Sequence, residues 1–260
     1  MGKLVFDTLQ PRYTPGAQVF RVDPDTWRLE IPAGEAGHYR LAQLDDYHRL
    51  PRKKLPWNAP VSLSLQARAS SENNPGTWGF GLWNDPFGAG LFSGGELARL
   101  PALPNTAWFF FASPQNYLSL RDDLPAQGSL AATFRSPRWP AIYYLAASPL
   151  LPFVVIRPVA RLLRRLGRKM VQQSATTLPT TPIDWHRYEI NWQVDRVSFW
   201  VDGSLILETS LLPNGPLALV LWIDNQYAAF PPDGRIRWGT LASPEPAWIE
   251  IREMSVKPGV

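Results

Sequence analysis

Apolar and polar residues alternate strictly along much of this chain. Val61-Ser62-Leu63-Ser64-Leu65-Gln66-Ala67-Arg68 places an apolar side chain at every second position, the pattern of a strand with one face in a core and one in water. Thr77-Trp78-Gly79-Phe80-Gly81-Leu82-Trp83 reads as a strand whose glycines allow close approach of backbone or ligand. The run from Ala107 to Ala112 has the length and aromatic content of a buried strand, and Tyr117 to Arg121 of a shorter one. Further on, Arg187–Trp192, Arg196–Val201 and Leu205–Glu208 follow one another with short links, Val194-Asp195 and Asp202-Gly203, which predicts an antiparallel meander. Ala218–Ile223 is a near-continuous apolar strand, and Trp248–Val256 closes the chain in alternation. About a dozen short strands spaced in this way predict an all-β, two-sheet sandwich.

One region breaks the pattern. Trp139 to Ile156 is 18 residues without a charge, interrupted by Pro140, Pro149 and Pro152. A spanning helix needs about 20 apolar residues, and prolines interrupt its hydrogen-bond ladder, so no transmembrane span is expected. Pro158 suits the first turn of a helix, after which Val159, Leu162, Leu163, Leu166 and Met170 fall on one face and Arg161, Arg164, Arg165 and Arg168 on the other.

Charge sharpens the contrast. From Leu124 to Ile183 there is no Asp or Glu, but eight of the chain's 26 basic residues lie there; the remaining 200 residues hold 18 basic against 22 acidic. The formal charge of +4 is therefore a property of this one segment. Three placements are open. The helix packs its leucines on the sandwich, or docks on an anionic membrane surface, or binds another protein. A membrane face would comprise Trp139, Tyr143 and Tyr144 as interfacial aromatics with Arg157, Arg161, Arg164, Arg165, Arg168 and Lys169. Nucleic acid is not an expected partner, because the body is acidic and no recognition module is present.

Composition excludes several chemistries. Cysteine is absent, so neither disulfides nor thiolate metal sites occur. His38, His48 and His186 lack metal-ligand spacing, and no metal or cofactor is expected. There is no Gly-x-Ser-x-Gly elbow and no phosphate-binding glycine loop; Gly88-Ala89-Gly90 signals only a loop. The first residues carry neither a signal-peptide apolar run nor a myristoylation pattern, Phe6 standing where Ser or Thr is needed.

The run Trp185-His186-Arg187-Tyr188-Glu189-Ile190-Asn191-Trp192 and then Asp195-Arg196-Val197-Ser198-Phe199-Trp200-Val201-Asp202-Gly203, followed by Pro216-Leu217-Ala218-Leu219-Val220-Leu221-Trp222, resembles the concanavalin A-like lectin/glucanase superfamily, most closely glycoside hydrolase family 16. Gly76–Trp83 resembles that family's strand at the substrate cleft, and Trp248–Ile251 its closing strand. The resemblance covers residues 1–138 and 176–260. It implies a single jelly-roll sandwich domain over 1–260, with 139–175 as an inserted apolar and basic helical segment, and a concave, aromatic-lined face.

The family's catalytic strand carries a Glu-x-Asp-x-Glu type pattern, from which alternation points carboxylates into the cleft. The corresponding strand here, Ala107-Trp108-Phe109-Phe110-Phe111-Ala112, has no acid; Glu96 precedes it and Asp122-Asp123 follow it. The family's catalytic residues therefore cannot be carried over. Asp85 and Asp224, each near a strand end, are the remaining weak catalytic candidates, and as Asp-Pro the former also suits a turn. Aromatics are more suggestive, with twelve Trp, eight Tyr and twelve Phe. Trp78, Trp83, Trp108, Trp222 and Tyr227, with Asn84 and Asn225 supplying hydrogen bonds, are candidates for a carbohydrate-binding face, against the alternative that they fill the core. The expected function is a non-catalytic glycan- or glycolipid-binding protein held peripherally at a membrane. The alternatives are a divergent hydrolase acting on a polysaccharide and an assembly protein docking through its basic helix.

Overall fold

The computed structural model describes residues 9–48, 50–86, 102–139 and 153–259. Two seven-stranded antiparallel sheets pack face to face as a jelly-roll sandwich. The first runs, in spatial order, β1 (Gln10–Tyr13), β4 (Leu41–Asp45), β13 (Ala218–Asp224), β6 (Thr77–Trp83), β7 (Thr106–Ala112), β8 (Gly128–Arg135), β9 (Gln172–Thr177). The second runs β12 (Ser204–Thr209), β11 (Val197–Val201), β10 (His186–Trp192), β5 (Val61–Ala69), β16 (Ala247–Pro258), β3 (Thr26–Ile31), β2 (Gln18–Asp23). A small ribbon, β14 (Gln226–Ala229) with β15 (Arg237–Thr240), and a helix, α1 (Arg157–Met170), lie outside the sheets.

The alternation read in the sequence becomes the division between core and surface. In β5, Val61, Leu63, Leu65, Ala67 and Ala69 are buried and the residues between them are not. They meet Tyr188, Ile190 and Trp192 of β10, Ile249 and Ile251 of β16, and Phe80, Phe109, Leu219 and Leu221 of the facing sheet. Full burial of each Val, Leu, Ile or Phe among them contributes about 1.5–3 kcal/mol. The expected meander forms: β10 turns into β11 at Val194-Asp195, closed by Gln193 N–H donating to Arg196 O at 2.8 Å. Between β11 and β12, Asp202 (φ 49°) and Gly203 (φ 77°) both adopt left-handed backbone, the requirement of a type I′ hairpin turn.

The central strands of the first sheet are buried on both faces. Every residue of β7 and β13 is buried. Phe109 and Phe111 point into the inter-sheet core, while Trp108 and Phe110 point to the opposite, outer face with Trp83 and Trp222. Tyr47 and Leu55 pack over that outer face, with Tyr39, Leu118 and Leu124 beside them. β8 and β9 pair directly, Arg135 opposite Gln172, so α1 sits in the connection of an antiparallel pair. The stretch Tyr117–Arg121, expected as a strand, contributes only a bridge from Tyr117 to Ala229. The carbonyls of Ser119, Leu120 and Arg121 serve α1 instead.

Candidate functional site

Three indoles converge on the outer face of the first sheet. Antiparallel registry places Trp83 opposite Ala218 and Gly81 opposite Val220 and Trp108, so Trp83, Trp108 and Trp222 share one face of adjacent strands. Ring centroids lie 6.3 Å apart for Trp83–Trp108, 6.0 Å for Trp83–Trp222 and 5.5 Å for Trp108–Trp222, with Phe110, Phe134 and Tyr47 at the margins. Gly79 makes room for this: a Cβ there would stand 2.8 Å from Trp222 Cη2 and collide with Phe109 O. All three indoles are buried, covered by their neighbours rather than open to solvent. Trp222 Nε1 donates to Thr77 Oγ1 at 3.0 Å. Trp108 Nε1, also buried, has no hydrogen-bond partner among the described residues.

The other candidates separate by role. Trp78 faces the inter-sheet core and stacks on Phe111 at 3.6 Å, away from the indole cluster. Asn225 is saturated by structural bonds: its Oδ1 accepts from Arg40 N (2.8 Å), and its Nδ2 donates to His38 O (3.0 Å) and Leu241 O (2.9 Å). Asn84 ties Leu103 and Asn105 in the same way. Tyr227 lies over Gly239 in the β14–β15 ribbon, half-buried.

Asp85 and Asp224 do not converge. Asp224 pairs with Thr77 at one end of β6, and Asp85 follows Trp83 at the other. Six residues of extended strand separate those ends by roughly 20 Å, whereas glycosidase carboxylate pairs stand about 5–9.5 Å apart. Asp85 instead holds a left-handed turn (φ 49°), its carbonyl accepting from Arg52. Asp224 is buried, accepting from Thr77 N (3.2 Å), Thr77 Oγ1 (2.9 Å) and Gln226 N (3.2 Å). Burial pushes its carboxyl up to about 7, partly opposed by those donors, and burial followed by the Asp224 charge pushes the Tyr39 phenol well above its ordinary value.

Two carboxylates not singled out in the sequence share this environment. Asp45 accepts from Gln43 Nε2 (2.8 Å) and is raised by burial. Asp46 accepts from Trp57 Nε1 (2.5 Å) and Leu219 N (2.9 Å) and is raised by burial to about 7. Asp45 and Asp224 project from the same face of the β4–β13 pair, but four residues apart in register, roughly 13 Å. That also exceeds a glycosidase spacing. The only signal for them was an Asp-Asp ending an apolar strand, which reads equally well as a turn. Among the described residues no group of His, Asp and Glu could hold a metal ion.

Of the placements left open, the helix turns an arginine and not its leucines toward the sandwich. Its buried residues are Ala160 and Arg164. Arg164 Nη1 donates to Ser119 O (2.9 Å) and Phe230 O (2.6 Å), and Nη2 to Leu120 O, Arg121 O (both 3.1 Å) and Asp122 Oδ1 (2.9 Å), with the guanidinium 5.3 Å from the Tyr117 ring. Arg168 pairs with the second oxygen of Asp122, and both arginines hold that carboxyl below its ordinary range, Arg164 contributing most. Arg161 donates to Asp233 O at 3.0 Å. Leu162 is 53% exposed and Leu166 46%, and Leu163, Phe153, Val155 and Ile156 are exposed with them. Arg157, Arg165 and Lys169 are exposed and Trp139 stands open to solvent. Tyr143 and Tyr144 lie outside the described residues. Among the described residues no helix is long and apolar enough to cross a membrane.

No family model and no curated protein matches the sequence. Solved structures do match. A Bacteroides ovatus mixed-linkage glucan GH16 structure in complex with a G4G4G3G product aligns over 98% of each chain, with 8% identity and a TM-score of 0.51. A legume lectin-like domain from Entamoeba histolytica aligns over 98% of this chain and 91% of its own, with 9% identity and a TM-score of 0.49. The laminarinase catalytic domain from Thermotoga maritima aligns over 95% and 81%, with 11% identity and a TM-score of 0.46. The chain thus has a concanavalin A-like, GH16-like fold.

Proposed function

We propose that this protein is a non-catalytic, glycan- or glycolipid-binding β-sandwich that associates peripherally with an anionic membrane through α1. The observation that carries the reading is the orientation of the helix. Burying Arg164 in a cage of carbonyls while leaving Leu162 and Leu166 in water is unfavourable for a helix serving only the core. It is the arrangement suited to an apolar face that enters the acyl boundary, flanked by Arg157, Arg165 and Lys169 toward lipid headgroups. Arg161, Arg164 and Arg168 then act as the anchor to the sandwich rather than as lipid contacts.

The glycan half rests on the fold and on the indole face. Trp108 Nε1 is a buried donor with no acceptor among the described residues, which a sugar hydroxyl would satisfy once the side chains covering the indoles move aside. Absence of the family acid pattern and the wide carboxylate spacings support the non-catalytic reading. Flotation of the full chain with neutral and with anionic vesicles tests the membrane half. Binding is expected only to anionic vesicles and should weaken as salt rises; equal recovery with both, or with neither, contradicts it.

A further inference from the structure

A second feature lies at the end of the sandwich where β8 finishes. Arg135 and Arg138 flank Ser136, whose backbone is held from two sides. Asn105 Nδ2 and Asn214 Nδ2 donate to Ser136 O at 3.1 and 2.9 Å, and Ser136 N donates back to Asn105 Oδ1 at 3.1 Å. Asn214 N also donates to Asn105 Oδ1, at 2.9 Å. Both arginines therefore spring from a pinned stretch of backbone. They line a crevice of about 310 Å³ together with Trp192, Val194, Leu212 and Asn214. One wall depends on Gly215, where a Cβ would stand 2.7 Å from Trp192 Cη2 and 3.1 Å from Asn58 Oδ1.

Among the described residues no acid lines this crevice, and neither arginine side chain makes a hydrogen bond or ion pair. Several other surface arginines do find acids. Arg28 and Arg68 share Glu250, Arg187 pairs with Glu253, and Arg164 and Arg168 share Asp122. Both arginines stay exposed at the mouth of the crevice, and partial desolvation lowers the Arg138 guanidinium from its ordinary value. A guanidinium is a planar fork of donors that matches a phosphate, sulfate or carboxylate with two parallel hydrogen bonds. A volume near 310 Å³ admits one such group with a small apolar portion against Leu212 and Val194.

We propose that this crevice is a binding site for a phosphate-class oxyanion, held by Arg135 and Arg138. The inference is independent of the membrane reading and of the indole face. Because Arg135 pairs with Gln172, two residues beyond the end of α1, the phosphate can come from a free small molecule or from a lipid headgroup.

Calorimetric titration of the full chain with inorganic phosphate, with sulfate, and with monomeric dihexanoyl phosphatidylglycerol separates these sources, using chloride at matched ionic strength as reference. Saturable binding of phosphate or sulfate, weakened about tenfold or more in the R135Q/R138Q variant, establishes the site with a free ligand. Binding of the short-chain lipid alone, weakened in the same variant, establishes it with a headgroup as its source. The R235Q/R237Q variant removes the same charge at the β14–β15 ribbon, outside the two sheets, and should bind as the wild type does. Folding of each variant is checked by circular dichroism. No binding above chloride by any of the three probes, or equal loss in R135Q/R138Q and R235Q/R237Q, overturns the proposal.

Discussion

Arg164 reaches Asp122 Oδ1 at 2.9 Å from a helix whose leucines face away from the protein. The pair reverses the usual logic of an amphipathic helix, in which the apolar stripe seeks the core and the cations seek water. Here the bend at Ser119–Asp122 offers three carbonyls and a carboxylate in one place, a receptor for a five-donor guanidinium.

Replacing Arg164 with Met should release the helix while leaving the sandwich folded. The substitution orphans the buried carbonyl of Ser119, at a cost of about 1–3 kcal/mol, and removes the part-buried bonds to Leu120 and Phe230. Arg164→Lys should not rescue, since one ammonium cannot span the same fork. Hydrogen exchange should show protection lost over 157–170 and retained in β5 and β10. Unchanged protection in the helix would refute this anchoring role.

Asp224 makes stability depend on pH in a stated direction. Its carboxyl titrates at about 7 in the folded protein and near 3.9 when unfolded. Between those values the folded state holds a proton that the unfolded state has lost, so this group's contribution is intact below about pH 4, declines as pH rises to about 7, and is flat above. Asp224→Asn keeps an acceptor for Thr77 and Gln226 and cannot ionise. Urea unfolding should therefore show the variant gaining on the wild type between pH 5 and pH 8. A stability difference that is constant over that range contradicts the raised carboxyl. Asp46, also raised to about 7 by burial, should give the same sign.

Gly79→Ala tests why the glycine is there. Its added methyl would meet Phe109 O and the Trp222 ring, so strand β7 and the indole must both shift, at a cost of about 1–3 kcal/mol. A lower unfolding midpoint with altered tryptophan fluorescence is expected. A glycine serving only a ligand would give neither change without ligand.

Trp108→Phe separates glycan binding from packing better than truncating an indole, which would leave a large cavity. The variant keeps an aromatic ring and removes an N–H that has no partner among the described residues. Stability should change little, while affinity on a glycan array should fall about fivefold, the loss of one hydrogen bond. Equal glycan profiles for both proteins would argue against this face as the binding site.

The sequence carried the sandwich well wherever one strand face was wet. The alternations of β5 and β10, and the Asp202-Gly203 turn, were legible because their chemistry is local. Strands β1 to β4, β8 and β9 were not singled out. Thr, Ser and Gln at both faces of β9, and a wholly buried β4, give no period-two signal. Of the candidate site, the shared face of Trp83, Trp108 and Trp222 follows from strand parity, whereas the inward turn of Trp78 follows from parity applied to the same strand. The separation of Asp85 from Asp224 needed the pairing of β6 with β13. The helix itself was legible from Val159, Leu162 and Leu166. Which face it presents was not, because that depends on Asp122 and the carbonyls around it, some 40 residues away in the chain.

The central claim, that the leucine face of α1 enters a membrane, is tested most directly at Leu166. The chain has no cysteine, so Leu166→Cys gives a single site for an environment-sensitive NBD fluorophore, with Ser204→Cys on edge strand β12 as the comparison. Mixed with phosphatidylcholine/phosphatidylglycerol vesicles, the label at 166 should brighten, shift to the blue and be quenched by nitroxides in the acyl region, while the label at 204 should not respond. No response at 166, or equal responses at 166 and 204, would contradict the account.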